Sequence, residues 1–334
     1  MDEEHHDRHS AASTRTCTSD TTLDALDTYI VEQARTSSGF GEVLVQTVLA
    51  RGDRVIATAR SLGKNQHFLQ SEHSENVRLL ELDVVAGEEA LKGIITKAVA
   101  FWGRIDVLVN NAGNGAKGIL EEAGSAQMRL QYEANVFGTL DVTTAVLPYM
   151  RAQRSGTIVM ICSRSTWKPE LPGIGVYNSC LAHCLCSSST SHAKGLYASS
   201  KAALRCLSET LAVEVAPFSI RVLIAEPAAF RTNTFANTPY YTANQITDYD
   251  VLRGQSQEWY ERMHRSVTGD PKKAMRVLTD VVKGEGAAAG RPWPLYLALG
   301  DVAVHGITDK CQTMLNVVEE WRDVSTALDM NPSA

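Results

Sequence analysis

A tyrosine and a lysine lie four residues apart in the segment Tyr197-Ala-Ser-Ser-Lys201. Residues i and i+4 share one face of a helix, so the Lys201 ammonium is expected beside the Tyr197 phenol. A free tyrosine has a pKa of about 10, and a nearby cation favours the phenolate and lowers that pKa. The pair is therefore predicted to exchange a proton with a bound substrate. An exposed tyrosine and lysine on a surface helix would show the same spacing.

A second tyrosine, Tyr177, lies in the similar context GIGVYNSC, but Leu181 takes the place of the lysine four residues later. Tyr197 is therefore preferred as the reactive residue. Residues 176–195 are rich in Ser, Cys and His, and without them GIG would join LYASSK directly. We interpret 176–195 as an insertion, and a mature transcript that encodes it would exclude the alternative of an untrimmed intron. Its cysteines and histidines match no structural zinc spacing, so no metal is predicted.

Apolar runs that alternate with helical segments must position these residues. The strands are predicted around 29–31, 54–60, 76–84, 106–113, 156–163, 220–227 and 294–300. Helices are predicted near 43–49, 88–102, 125–152, 197–215 and 271–282. Near-continuous apolar strands of this kind are typical of a parallel sheet covered by helices on both faces. The sequence therefore predicts a single doubly wound α/β domain over 28–330, after a disordered leader at 1–27. Residues 233–270 are expected to form loop and short helix, where a substrate lid could lie. The aromatic residues at 239–260 indicate a hydrophobic substrate.

Composition excludes several classes of function. The formal net charge of the 334 residues is −6 and no dense Lys/Arg run occurs, which argues against nucleic acid as a partner. No apolar stretch approaches the roughly 18–20 residues that span a bilayer, and the acidic N-terminus lacks the apolar region of a secretory signal. Seven scattered cysteines then indicate a reduced, cytoplasmic protein.

In this order and at this spacing, the motifs resemble those of the short-chain dehydrogenase/reductase family over roughly 28–330. The motifs are SSGFG at 37–41, Arg60, Asp83, NNAG at 110–113, Asn135, Ser163, the Tyr197–Lys201 segment, and Pro227 followed by Thr232. The segments SSGFG, ATAR and EPAAFRTN look most like the steroid- and retinol-dehydrogenase-like branch. The resemblance implies a Rossmann-type fold and hydride transfer between NADP(H) and a hydrophobic ketone, aldehyde or alcohol. It also implies a homodimer or homotetramer built through the helices near 125–152 and 197–215.

The same resemblance assigns the catalytic roles. Tyr197 would be the general acid or base, and Lys201 would tune it and hold the nicotinamide ribose. Ser163 would hydrogen-bond the substrate oxygen, with Ser165 as the alternative. Asn135 would kink its helix and anchor a water of the proton relay, although an asparagine there could simply bond back to its own helix.

The cofactor would bind a glycine-rich turn and the strand ends. The predicted contacts are Ser37, Ser38, Gly39, Phe40, Gly41, Arg60, Asp83, Asn110, Gly113, Tyr197, Lys201, Phe230 and Thr232. Arg60 stands where an acidic residue would bind the ribose of NAD, so NADP is favoured. Asp83 would meet the adenine amine, or would cap the next turn instead. The turn departs from the family pattern, because Arg35 occupies the position of its first glycine and Ala34 that of its threonine.

That departure keeps a rival hypothesis open, in which the chain is a binding or scaffold protein of the same fold with impaired catalysis. A third hypothesis is a family epimerase or dehydratase, which keeps the tyrosine and lysine but shows no net turnover of cofactor.

Overall fold

Seven parallel strands form one sheet in the order β3-β2-β1-β4-β5-β6-β7. The computed structural model describes residues 26–32, 39–167, 195–232, 238 and 240–328. The strands are β1 (Thr28–Glu32), β2 (Arg54–Ala59), β3 (Val77–Glu81), β4 (Val107–Asn110), β5 (Gly156–Ile161), β6 (Ile220–Pro227) and β7 (Tyr296–Leu299). All seven coincide with predicted strands, and the doubly wound parallel sheet is confirmed.

Helices connect the strands and cover both faces of the sheet. They are α1 (Phe40–Leu49), α2 (Glu88–Trp102), α3 (Leu120–Tyr132), α4 (Gly138–Gln153), α5 (Gly195–Val215), α6 (Asp250–Ser266), α7 (Pro271–Lys283), α8 (Asp301–Glu320) and α9 (Arg322–Ser325). Capping explains the abrupt start of α7, where the Asp270 side chain accepts a hydrogen bond from the Lys272 amide at 2.8 Å and Pro271 is the first helical residue.

Successive side chains of β1 enter opposite halves of the core, as the two-residue period of a strand requires. Ile30 packs in a cluster with residues of α2, α4 and α5, and its neighbours Tyr29 and Val31 pack in a second cluster with residues of α1 and α7. All three side chains are buried. A strand buried on both faces has no polar face, which is why these strands read as continuous apolar runs.

Two elements differ from the sequence-based expectation. The helix predicted at 125–152 begins earlier and is broken into α3, a π-helical turn at Glu133–Phe137, and α4. The region 233–270, expected to be loop and short helix, contains the 17-residue helix α6. The prediction failed for α6 because its apolar face packs on a small local cluster, whereas its other residues are charged or polar and weaken the periodic signal.

Gly138, the first residue of α4, lies against the loop that follows β3. A Cβ atom at this position would lie 2.6 Å from the Val84 carbonyl oxygen, so no side chain fits without moving backbone. We expect Gly138→Ala to destabilise the protein by about 1–3 kcal/mol, as overpacking does elsewhere. Thermal unfolding measures this, with Gly93→Ala in α2 as the control, because a Cβ at Gly93 meets nothing within 4 Å. A Gly138→Ala protein as stable as the control would contradict the expectation.

Candidate active site

The catalytic residues predicted from the sequence meet at the carboxyl end of β5. Ser163 follows this strand directly, and Tyr197 and Lys201 lie one turn apart near the start of α5. The Tyr197 phenol forms a hydrogen bond with the Ser163 side chain. The buried Lys201 ammonium donates a hydrogen bond to the Ile161 carbonyl at 2.6 Å. Helix α5 thus presents its tyrosine and lysine to the end of the strand that carries the serine.

Ser165, the alternative to Ser163, supports that residue instead of replacing it. Its hydroxyl lies 2.9 Å from the Ser163 hydroxyl, and its amide donates to the Ser163 oxygen at 3.2 Å. Ser165 is buried, whereas Ser163 is half-buried and contacts the tyrosine. The hydroxyl that a substrate could reach beside the phenol therefore belongs to Ser163.

Burial decides the protonation of Tyr197 in this structure. Loss of solvation raises the pKa of the phenol to about 12, although the hydrogen bond with Ser163 acts in the opposite direction. The sequence-based expectation was a lowered pKa beside Lys201. Loss of solvation makes the largest contribution to this difference, and the Lys201 ammonium donates its hydrogen bond to the Ile161 carbonyl. At neutral pH the phenol holds its proton.

Asn135 lies at the centre of the π-helical turn, where the extra residue per turn frees its neighbours from regular helix pairing. Its side-chain oxygen accepts from the Asn114 amide, and its side-chain nitrogen donates to the Asn114 carbonyl, both at 2.9 Å. The same nitrogen donates to the Ser200 hydroxyl at 3.1 Å, and Ser200 lies between Tyr197 and Lys201. Asn135 thus joins the loop after β4 to the helix that carries the tyrosine.

The loop after β4 lies close to the catalytic residues at Gly113 and Gly115. A Cβ at Gly113 would lie 3.1 Å from the Asn135 side-chain oxygen and 3.6 Å from the Lys201 nitrogen. At Gly115 it would lie 3.5 Å from the Tyr197 ring. The sequence NNAGNG at 110–115 therefore forms a wall of the site, with its tightest approach at Gly113.

The predicted cofactor residues follow the carboxyl ends of the strands. Gly39 precedes α1 with φ +151°, a conformation that favours glycine, and Gly41 is buried within the first turn. The Phe40 ring packs edge-on against the Phe230 ring, with 5.2 Å between the ring centres. This contact connects the start of α1 to the loop after β6. Thr232 follows in that loop, where its amide donates to the Phe230 carbonyl at 2.8 Å. The start of α1 offers the free amides of a helix N-terminus at the switch point between β1 and β4.

The other predicted cofactor residues differ in exposure and in the hydrogen bonds that their side chains already make. Arg60 is exposed after β2 and makes no ion pair with the residues that the structure describes. Asp83 is half-buried after β3, and its carboxylate accepts from the Val85 amide at 3.3 Å, the turn-capping bond that was the alternative interpretation. The Asn110 side chain points into the interior and donates to the Thr143 hydroxyl at 3.0 Å. Only the backbone of Asn110 is thus available to a ligand.

Several sequence-based predictions fall outside the described residues. These are the contacts of Ser37 and Ser38, the departure at Arg35, the competing Tyr177, the leader up to residue 25, and all of the insertion except Gly195. They stay predictions.

A family model described as short chain dehydrogenase matches residues 36–180 and 185–240. The chain belongs to the short-chain dehydrogenase family. The match covers more than half of the sequence and includes the serine, the tyrosine and the lysine that meet at the end of β5. The family comprises dehydrogenases and reductases.

Relatives agree with this assignment. A 3-ketodihydrosphingosine reductase of Bacteroides thetaiotaomicron is 33% identical over 69% of this chain and 71% of its own length. The rabbit (Oryctolagus cuniculus) 11-beta-hydroxysteroid dehydrogenase type 2 is 28% identical over 78% of this chain and 61% of its own length, in keeping with the steroid-dehydrogenase-like branch. The crystal structure of a short-chain dehydrogenase from Streptomyces avermitilis superposes with a TM-score of 0.73 at 32% identity and covers 92% of this chain and all of that one.

In our protein, the structure also shows a residue beside the site that the sequence analysis missed. The buried Gln131 lies one helical turn before Asn135. It accepts from the Ala116 amide at 2.6 Å and donates to the Asn114 carbonyl at 2.7 Å. Gln131 and Asn135 thus hold the same loop from one helix face. Their four-residue spacing was the only available signal, and it is too common to single out a residue.

A buried ion pair anchors the predicted lid. Glu122 in α3 and Arg253 in α6 are both buried, and the arginine also donates to the Ile246 carbonyl at 2.9 Å. The Ile246 amide donates to the Glu122 carboxylate at 3.0 Å. These contacts tie residues 246–253 to the start of α3. Hydrogen bonding to Arg253 lowers the pKa of Glu122, so the pair is charged at neutral pH.

The aromatic residues of the lid pack against one another. Trp259 and Tyr260 are buried in a cluster with Met263 and Val267, and the ring of Tyr240 lies 6.3 Å from that of Tyr260. The aromatic residues of this region were taken to indicate a hydrophobic substrate, but most of the surface of Trp259 and Tyr260 is buried in this local cluster. Among the described helices, none combines the length and apolar composition that a membrane crossing requires.

Proposed function

We propose that this protein is an NADP(H)-dependent reductase or alcohol dehydrogenase that interconverts a hydrophobic ketone or aldehyde and the matching alcohol. The hydrogen bond between Tyr197 and Ser163 carries the proposal, because it places two O–H groups side by side where a carbonyl oxygen could accept from both. The names of the sphingoid-ketone and steroid relatives support an apolar substrate.

The residues along the strand ends fit a phosphorylated dinucleotide. Gly39 leaves the start of α1 open to a pyrophosphate, and the exposed Arg60 guanidinium suits a 2′-phosphate. Gly113 and Lys201 lie close together and would line the nicotinamide side of the cofactor. When bound, the nicotinamide supplies or accepts the hydride.

The chain's own residues would manage the proton. In reduction, the Tyr197 phenol donates its proton to the substrate oxygen, and the Ser163 hydroxyl hydrogen-bonds the same oxygen as charge develops. The Lys201 ammonium, one helical turn along α5, would favour the phenolate that remains. At neutral pH the Tyr197 phenol carries the proton that reduction requires.

Consumption of NADPH with a panel of apolar ketones and aldehydes tests the function, and we expect saturable turnover. A parallel titration of NADPH fluorescence separates the rival hypotheses. Absence of saturable binding would favour the binding or scaffold protein. Conversion of substrate without net consumption of cofactor would favour an epimerase or dehydratase.

Arg60 is expected to set the preference for NADPH over NADH. Replacing it with alanine removes the guanidinium that would pair with the 2′-phosphate, a charge-assisted contact worth about 1.5–3 kcal/mol. We therefore expect kcat/KM for NADPH to fall about 10–100-fold in Arg60→Ala. NADH lacks the phosphate and serves as the control, and its kcat/KM should change little. An equal loss with both cofactors would contradict this role.

The proposed homodimer or homotetramer has support from exposed apolar side chains on the two helices that were predicted to assemble. They are Leu140 on α4, with Leu207 and Val213 on α5.

A further inference from the structure

Glu226 is a buried acidic residue near the end of β6 that the proposed proton transfer does not use. Its carboxylate accepts hydrogen bonds from the Thr166 hydroxyl at 3.2 Å and from the Trp167 indole N–H. Both donors belong to the short turn that follows Ser163. The β5–β6 pairing, with Ile161 opposite Ala225, places the carboxylate beside this turn.

Backbone hydrogen bonds within this turn connect Thr166 and Trp167 to the catalytic serine. The Thr166 amide donates to the Ser163 carbonyl at 3.0 Å, and the Trp167 amide donates to the Arg164 carbonyl at 3.1 Å. These bonds make 163–167 one compact unit. Fixing its far end at Thr166 and Trp167 therefore fixes the Ser163 hydroxyl at its near end.

Helix α5 holds the same unit from the other side. The Arg205 guanidinium lies 4.2 Å from the centre of the Trp167 ring and donates to the Thr166 hydroxyl at 3.4 Å. Arg205 follows Tyr197 and Lys201 at four-residue spacing, so all three lie on one face of the helix. The unit that carries Ser163 is clamped between the β6 carboxylate and the helix face that carries the tyrosine.

We propose that Glu226 is a positioning residue that sets Ser163 against Tyr197 by holding Thr166 and Trp167. The inference rests on the proposed function, because it assigns Glu226 a part in the same reaction.

Charged and titratable groups face Glu226 from three elements. They are Arg205 and Glu209 from α5, Tyr296 from β7, and Cys162 at the end of β5. Burial raises the pKa of Glu226 to about 7, against the hydrogen bond from Trp167 and the attraction of Arg205. The carboxylate therefore gains its full acceptor strength as the pH rises through neutrality, and the clamp tightens in that direction.

Glu226→Gln tests the role, since it keeps the shape and removes the charge. We expect kcat to fall about tenfold to a hundredfold, the scale for a displaced reacting group, with the NADPH affinity unchanged. Wild-type kcat should rise as the pH increases through about 7, whereas the variant should lack this limb. Glu214→Gln is the matched control, because it makes the same change at an exposed position near the end of α5.

Trp167 supplies a readout that does not depend on turnover. Its emission should shift with pH in the wild type and not in Glu226→Gln, and Trp167→Phe should remove the signal and lower kcat in the same direction. Should Glu226→Gln fail to fold, Trp167→Phe tests the clamp from the donor side. If the wild type is active and kcat is unchanged in Glu226→Gln or Trp167→Phe, the inference is wrong but the proposed function stands. A wild type that reduces no carbonyl would overturn the proposed function, and the inference with it.

Discussion

Replacing Tyr197 with phenylalanine is expected to lower kcat by about 10²–10⁴-fold, the usual contribution of a positioned general acid. The variant keeps the ring that packs against Gly115 and loses only the hydroxyl that bonds to Ser163. Affinity for NADPH should therefore stay close to that of the wild type. Stopped assays at high enzyme concentration measure the residual rate, and fluorescence titration measures the binding.

Tyr177→Phe is the matched control for this experiment, because it makes the same change in the similar sequence that lacks a lysine. We expect full activity in that variant. Undiminished kcat in Tyr197→Phe, or its loss in Tyr177→Phe instead, would refute the assignment.

Replacing Lys201 with methionine should be the second large effect. Methionine fills a similar volume, but it removes the ammonium that lies beside Gly113 and bonds to the Ile161 carbonyl. We expect kcat to fall on the order of 10²–10³-fold, as when one preorganised electrostatic donor is lost. Unlike Tyr197→Phe, this variant should also bind NADPH more weakly, because Lys201 is proposed to hold the nicotinamide ribose.

The two variants can be distinguished by fluorescence titration with NADPH. A loss of kcat in Lys201→Met with unchanged NADPH affinity would assign the lysine to the proton step alone. Wild-type kcat and affinity together would show that the buried ammonium is only structural.

The turn from Ser163 to Trp167 shows where sequence-based prediction stops. Ser163 was predicted because it ends an apolar strand in a known order of motifs. Glu226, Arg205 and Trp167 were not, because they lie on three separate segments and none has a sequence neighbour that indicates its partners. A buried carboxylate is recognisable only once the strands are paired and its hydrogen-bond donors are in place.

In the predicted lid, the sequence suggested a role for aromatic residues that the structure does not show. Aromatic residues near 239–260 indicated an apolar substrate, but Trp259 and Tyr260 are buried in a local hydrophobic cluster with Met263 and Val267. Composition reports that apolar surface will be buried and does not report against what. The ion pair between Glu122 and Arg253 joins residues far apart in the chain, so its existence also depended on the fold.

The sequence by itself determined the order of the strands along the chain, the parallel sheet, and the placement of Tyr197 and Lys201 one turn apart on the same helix. Each of these follows from local periodicity, in which apolar runs indicate buried strands and four-residue spacing indicates one helix face. The tertiary structure alone decided how the tyrosine is tuned. Burial holds its pKa high while Lys201 bonds to the Ile161 carbonyl, and solvation at a site depends on what packs around it.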